Sequence, residues 1–354
     1  MRPIFHATLV NGVWGDPGVC IDLKFQRRAL LFDIGDVQSL STRVLLRVSD
    51  VFVSHTHMDH FAGFDHLLRV CLGRDTGVRL YGPPNFISQV EHKLAAYTWN
   101  LVQNYSVDFV IEAHELRPDG TLARARFRSR EQFRREPLPD ALAPDGVLLE
   151  DEQFRVRAIG LAHHDIISLA FRFEESTHIN VWKNRLEARG LPTGPWLTEL
   201  KRLARTGAPD DTPVCIRWRT RDGSREQTFP LGDLERDVLE FVPGQKVCYV
   251  TDVSGDAHNT ARIMEFVANA DLLFIEAVFT QADAAMAANK AHLTTTQAGN
   301  IARLASVGTA EPFHFSARYR GHEDAHRAEF MRAWRERAGA DESQAATASR
   351  PDQM

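Results

Sequence analysis

Long hydrophobic runs are missing from this chain. No stretch approaches the roughly 18 consecutive apolar residues of a membrane-spanning helix. The opening Met1-Arg-Pro-Ile-Phe-His-Ala-Thr-Leu-Val10 has no extended apolar segment of the secretory kind and reads as a first strand, so a cytoplasmic protein with no membrane partner is expected. Cysteine is scarce: Cys20, Cys71, Cys215 and Cys248 lie far apart and form no C-x-x-C pair. That spacing suits neither a disulfide framework nor a thiolate zinc site, and it agrees with a reducing compartment. Any metal must therefore be held by histidine and carboxylate. An excess of positive charge is absent too, since 42 Lys and Arg stand against 47 Asp and Glu for a net charge of −5. A generally basic nucleic-acid binder is excluded, and contact with a polyanion would rely on local patches. Internal repeats are also lacking.

What is present is a chain of 354 residues, 44% hydrophobic and 25% charged, the profile of a soluble globular protein with a real core. Its most informative stretch is Val51-Phe-Val-Ser-His55-Thr-His57-Met-Asp59-His60. An apolar run of strand length leads into three histidines and an aspartate, which places polar groups at a sheet edge. Imidazole and carboxylate are the natural ligands of zinc and its neighbours. The first His pair can serve one metal and the Asp-His pair a second.

Other segments fit around it. Strands are expected at 4–10, 19–23, 29–33 and 50–54, and helices at 61–72 and 85–99. Asp33, which ends the third strand, either orients a metal-bound histidine by hydrogen bonding or stabilises a turn. Alternation puts Arg124, Arg126, Arg128 and Arg130 on one face of a strand, where they either track phosphates or are merely solvated. Strands at 153–159 and 168–173 flank His163-His164-Asp165. A short helix from 180 ends in the turn Leu191-Pro-Thr-Gly194-Pro195, and 201–245 is expected to contain a hairpin (215–219 with 228–231). Buried strands then end in Asp252, Glu276 and His314, with helices over 259–269 and from Thr294. Residues 338–354 are Ala/Ser/Asp-rich and are expected to be disordered. Strands alternating with helices, several ending in His, Asp or Glu, predict a layered α/β domain with its chemistry at one rim.

Ser54-His-Thr-His-Met-Asp-His60 resembles the H-x-H-x-D-H signature of the metallo-β-lactamase superfamily. The later elements resemble its ribonuclease Z branch, which trims the 3′ end of precursor tRNA. They are His164 before an Ala-Phe strand, Asp252 ending Tyr-Val-Thr-Asp, Glu276-Ala-Val-Phe, Ala291-His292-Leu-Thr and His314-Phe-Ser-x-Arg-Tyr319, in the family's order over residues 4 to 320. The resemblance implies an α/β fold, an αββα sandwich in a single domain over 1–337, with insertions at about 117–150 and 180–245. It implies two zinc ions, with manganese or iron as alternatives. His55, His57 and His164 would hold the first, Asp59, His60 and His314 the second, and Asp252 would bridge them. His163 competes with His164, whose distance to Leu169-Ala-Phe171 matches the family better. Asp256 competes with Asp252, which is preferred because it directly ends its strand.

Asp59 would also act as a base, and His292, polarised by Glu276, as the acid for the leaving oxygen. The same likeness marks Gly194, Pro195 and Arg318 as substrate-contacting, with Lys183, Arg185 and Arg189 on the neighbouring helix. The implied substrate is precursor tRNA, with a small phosphodiester such as a cyclic nucleotide as the alternative, and the implied assembly is a homodimer.

Overall fold

Two sheets carry the chemistry, and their strands follow from the apolar runs. The computed structural model describes residues 4–336 apart from 25, 76, 221 and 222; the tail at 338–354 lies outside the described residues. The first sheet has eight strands in sequence order: β1 (Phe5–Leu9), β2 (Val19–Leu23), β3 (Arg28–Phe32), β4 (Val48–Phe52), β5 (Gly77–Gly82), β6 (Val110–Leu116), β7 (Thr121–Arg128) and β8 (Arg135–Leu142). Pairing is parallel from β3 through β6 and antiparallel at both flanks.

The second sheet has six strands. In chain order they are β9 (Val147–Glu150), β10 (Phe154–His163), β11 (Ile166–Glu175), β16 (Lys246–Val250), β17 (Leu272–Glu276) and β18 (Thr309–Phe313), and across the sheet they run β18-β17-β16-β11-β10-β9. β16, β17 and β18 are parallel. Four further strands, β12 (His178–Val181), β13 (Pro213–Thr220), β14 (Gly223–Pro230) and β15 (Leu239–Val242), lie in the segment between β11 and β16.

Both faces of the first sheet's centre are buried, which explains the unbroken apolar run of β4. Phe32 and Phe52 face the second sheet, where Phe32 stacks on Phe171 with ring centroids 5.4 Å apart. Leu31, Val51 and Val53 face the other way, onto helices Phe64–Cys71 and Phe86–Ala95. On the far side, helices Ala257–Phe266, Thr295–Leu304 and Glu323–Arg335 contribute Ile263, Ile301 and Phe330 to the second sheet's core. This is the expected αββα order of layers. Gly299 lets the last two helices close up, since a Cβ there would sit 2.6 Å from the Phe330 carbonyl oxygen.

The stretch 117–150, expected as an insertion, instead supplies β7, β8 and β9 of the two sheets. Two arginines of β7 are engaged by carboxylates, Arg126 by Glu112 at 2.8 Å and Arg128 by Asp108 at 3.0 Å, whereas Arg124 has no such partner among the described residues and Arg130 lies beyond the strand in the turn Ser129–Glu131.

The chain divides into two compact units, and Glu175–Gln245 is the smaller. It contains β12 (His178–Val181) paired with β15 (Leu239–Val242), and the hairpin of β13 (Pro213–Thr220) and β14 (Gly223–Pro230). The helix expected from residue 180 starts later, at Lys183–Ala188, because Asn180 and Val181 are taken up by β12. Two further helices, Trp196–Arg205 and Leu231–Val238, close its own core around Trp196, Leu200, Ile216 and Leu234.

Phe171 is fully buried between the sheets. Phe171→Ala is expected to cost about 3–5 kcal/mol, read as a lowered urea midpoint with an unchanged denaturant slope.

Candidate metal centre

Strand ends place the ligand groups. β4 runs through Val53 into Ser54 and His55, and His57 then opens the one-turn helix Met58–Phe61, which carries Asp59 and His60. From the second sheet, β10 ends at His163, Asp252 follows β16 by two residues, Glu276 ends β17 and His314 follows β18. Asp33, Asp252 and His314 all have left-handed backbones, with φ of 55°, 46° and 62°. Such conformations cost on the order of 1–3 kcal/mol each and persist only where the surroundings enforce them.

The side chains converge on the Asp252 carboxylate. His60, His55 and His163 bring Nε2 to within 3.5, 3.7 and 3.8 Å of its Oδ2. His314 Nδ1 lies 2.9 Å from Oδ1, while its Nε2 is 3.5 Å from Asp59 Oδ2. Donor atoms of His55, His57, His163 and Asp252 form one group within 4.8 Å, and those of Asp59, His60 and His314 form another. Separations of 3.5–3.8 Å are too long for hydrogen bonds. They are close to the roughly 3.4 Å edge of a tetrahedron with ~2.1 Å metal–ligand bonds.

His55 Nε2 and His60 Nε2 are buried with no hydrogen-bond partner. Orphaned buried nitrogens are costly, and a divalent cation at each of the two donor groups would satisfy both, so the donor set fits two such ions.

Asp33 sets the ring orientations. Its fully buried carboxylate accepts the Ser54 N–H at 2.6 Å, the Ser54 hydroxyl at 2.8 Å, the Tyr249 hydroxyl at 2.8 Å and His60 Nδ1–H at 2.8 Å. With its proton given to Asp33, the Ser54 oxygen accepts His55 Nδ1–H at 3.0 Å. Both rings are thereby left with Nε2 toward Asp252. His163 is fixed in the same way by donating from Nδ1 to the Ala291 carbonyl at 3.0 Å. Gly35 allows the backbone after Asp33 to lie against the histidine loop; a Cβ there would fall 1.7 Å from the Asp59 carbonyl oxygen.

Glu276 is also fully buried. It accepts His292 Nδ1–H at 2.8 Å and the Val253 N–H at 2.9 Å. The His292 ring lies 5.3 Å from that of His163, and both line an open cleft of about 490 Å³ together with His57, Asp59, Asp252, His314 and Lys290.

No family model matches the sequence. Among curated proteins the chain is 30% identical over 313 residues to the ribonuclease Z of Deinococcus radiodurans, covering 88% of each chain. It is 28% identical to that of Bacillus velezensis, covering 86% of this chain and 83% of the relative. The chain belongs to the ribonuclease Z family. Among solved structures the short form of human tRNase Z aligns with a TM-score of 0.51 at 19% identity, over 89% of this chain and 91% of that one. A metallo-β-lactamase fold protein of Bacillus subtilis aligns at 0.53 and 16% identity, over 92% of each. The metallo-β-lactamase fold is thus shared, and like the rest of the ribonuclease Z family this chain is a metal-dependent hydrolase.

One position in this ribonuclease Z family member differs from expectation. His163 joins the cluster, whereas His164 is exposed, has φ of 50° and is in none of the converging donor groups. Burial alternates on Phe154, Val156 and Ala158, slips across Ile159-Gly160, and resumes on Leu161 and His163. The slip reverses which residue at the strand end faces inward. Asp256, the competitor of Asp252, instead caps helix Ala257–Phe266 by accepting the Asn259 N–H at 3.0 Å. Gly194 and Pro195 lie in the smaller unit, where Pro195 begins helix Trp196–Arg205. Arg318 is not among the cleft-lining residues and packs beside Asp283, Met286 and the Phe279 ring.

Charge in the cluster is balanced by protons. Burial, helped by His60, drives the His55 pKa down to about 2, so that ring is neutral. Burial also opposes charge on His314 and His60, but carboxylates outweigh it. Asp252 and Asp59 hold His314 up at about 10, and Asp252 and Asp33 raise His60 well above its ordinary value. Burial of Asp59 is likewise outweighed, by His314 and His60, which lower it to about 2.

Metal entry must displace protons from His60 and His314, so affinity is expected to fall as pH falls below about 10. Calorimetric titration with zinc at pH 7, in two buffers of different ionisation enthalpy, should register proton release; none would contradict ligation by those rings. In metal analysis, His163→Ala is expected to lose at least one ion per chain and His164→Ala none.

Proposed function

We propose that this chain is a binuclear zinc-dependent phosphodiesterase that removes the 3′ trailer of precursor tRNA and leaves a 3′-hydroxyl. His55, His57 and His163 would hold one ion, Asp59, His60 and His314 the other, with Asp252 between them. When bound, the two cations supply Lewis acidity and neutralise charge on the attacking and leaving oxygens.

The remaining work falls to side chains. Asp59, with its pKa at about 2, is an ionised carboxylate facing the cleft, placed to orient the attacking water and accept its proton. As the water oxygen bonds to phosphorus, the P–O3′ bond breaks. The leaving O3′ then takes a proton from His292 Nε2. Glu276 keeps the opposite nitrogen protonated at 2.8 Å; although burial opposes the charge, Glu276 holds the ring above its ordinary pKa. The observation that carries this reading is the buried Glu276–His292 pair beside the two donor groups. A strongly basic alkoxide needs a proton donor, and this pair supplies one on the wall of the same cleft.

Manganese or iron would satisfy the same His/Asp donor set. A cytoplasmic setting fits the scattered cysteines, of which Cys20, Cys71 and Cys248 are buried. A homodimer is part of the reading through the family alone.

The test is incubation of zinc-loaded protein with a 3′-extended precursor tRNA and, separately, a small chromogenic phosphodiester. A single cut at the 3′ end of the mature tRNA is expected; turnover of the small ester alone would replace tRNA processing with small-molecule hydrolysis. Asp59→Ala should abolish turnover. His292→Ala should lower kcat by about 10²–10⁴-fold while retaining both metals, and unchanged kcat would remove His292 from its role.

A further inference from the structure

A second cavity, of about 610 Å³, adjoins the catalytic cleft, and His164 lines both. Leu161, Ile166 and Ile167 contribute an apolar lining, and Gly160 adds no side chain to it. One rim is helix Ala257–Phe266, on which His258 and Arg262 are four residues apart and so share a face. Asn259 bolts that helix to the end of β10. Its amide donates to the carbonyls of Ala162 and Ser254, each at 2.9 Å, and its oxygen accepts the Ala162 N–H at 3.1 Å. The rim is therefore held in register with His163, the next residue along the strand.

Arg262 is half-buried, yet among the described residues no hydrogen bond or ion pair engages its guanidinium. Arg28 and Arg172, half-buried in the same unit, are by contrast paired, with Asp50 at 2.7 Å and Glu174 at 2.7 Å. Two carboxylates share the cavity wall: Asp145, which pairs with Arg157 at 3.5 Å, and Asp165 on the exposed turn. An unpaired guanidinium over an apolar floor suits a ligand with a phosphate at one end and a flat ring at the other. The volume is in the range of small-ligand sites.

We propose that this cavity is a nucleotide subsite. It takes the RNA nucleotide next to the scissile phosphodiester, with the base on the apolar floor, the phosphate against Arg262, and His164 at the passage between the two cavities. The assignment builds on the ribonuclease reading above and adds the residues that make an RNA strand a better substrate than a small ester. Continuity with the cleft favours the substrate strand over a protein partner as the occupant.

Two measurements test it, on metal-loaded wild type, Arg262→Ala and Arg262→Lys. The first is the ratio of kcat/KM for precursor tRNA to kcat/KM for the chromogenic diester. Arg262→Ala is expected to lower that ratio about tenfold, mainly through KM, and Arg262→Lys to restore part of it. The second is binding of a short fluorescent single-stranded oligoribonucleotide at several salt concentrations. Loss of one phosphate contact should flatten the slope of log K against log salt by about 0.7.

An unchanged ratio together with an unchanged slope overturns the subsite. So does a change in oligomeric state in Arg262→Ala with both quantities intact, which would assign the cavity to contacts between copies. Failure of the wild type to cut precursor tRNA would overturn the processing reading instead, and the binding slope would still decide the role of Arg262.

Discussion

The Asp33 carboxylate is the constraint on which the site depends. It is sealed from water and accepts four donors, two from Ser54 and one each from His60 and Tyr249. Those partners come from the end of β4, from the one-turn helix Met58–Phe61 and from β16 of the second sheet, so one side chain joins the layers at the point where they must agree. It also decides which nitrogen of two imidazoles carries a proton, directly for His60 and through the Ser54 hydroxyl for His55. A histidine offered to a metal with the wrong nitrogen outward is no ligand, so orientation from behind matters as much as the ligand's own identity.

The same economy of placement recurs along the second sheet. β16, β17 and β18 are parallel neighbours, so their carboxyl ends lie at one edge, and that edge presents Asp252, Glu276 and His314 in succession. Left-handed turns at Asp252 and His314 swing the side chains back over the edge. Glu276 ties the edge together, since its two oxygens engage the backbone beyond Asp252 and the ring of His292. Strain at two residues is tolerated because the flanking strands are buried on both faces and have no room to relax.

Much of this was legible in the sequence. The apolar run before His55 announced a strand buried on both faces, and the spacing of His55, His57, Asp59 and His60 announced a cluster of donor groups. Strand-terminal acids at 252 and 276 stood out for the same reason: an apolar run that ends in a charge marks a rim. The layer order followed from alternating strand and helix patterns. What could not be read were features set by tertiary detail. The choice between His163 and His164 turned on a phase slip at Ile159-Gly160, which a count in twos does not reveal unless the glycine is taken as a warning. The arginines of β7 share a face as alternation required, but their carboxylate partners come from strands and loops distant in sequence. Asp33 was ambiguous between a turn and a histidine partner until Tyr249, 216 residues further on, was placed beside it.

The order of strands also bears on how the molecule is made. The first sheet is assembled entirely from neighbours in sequence, so it can form as the chain leaves the ribosome, well before the second sheet exists. Half of the converging donor groups are then already in position, in the segment after β4. The other half depends on β16, β17 and β18, and on a pairing of β11 with β16 that spans the whole smaller unit. No nascent chain shorter than 314 residues contains every one of these converging donor groups. The converging donor cluster is therefore complete only once residue 314 has been synthesised, late in translation.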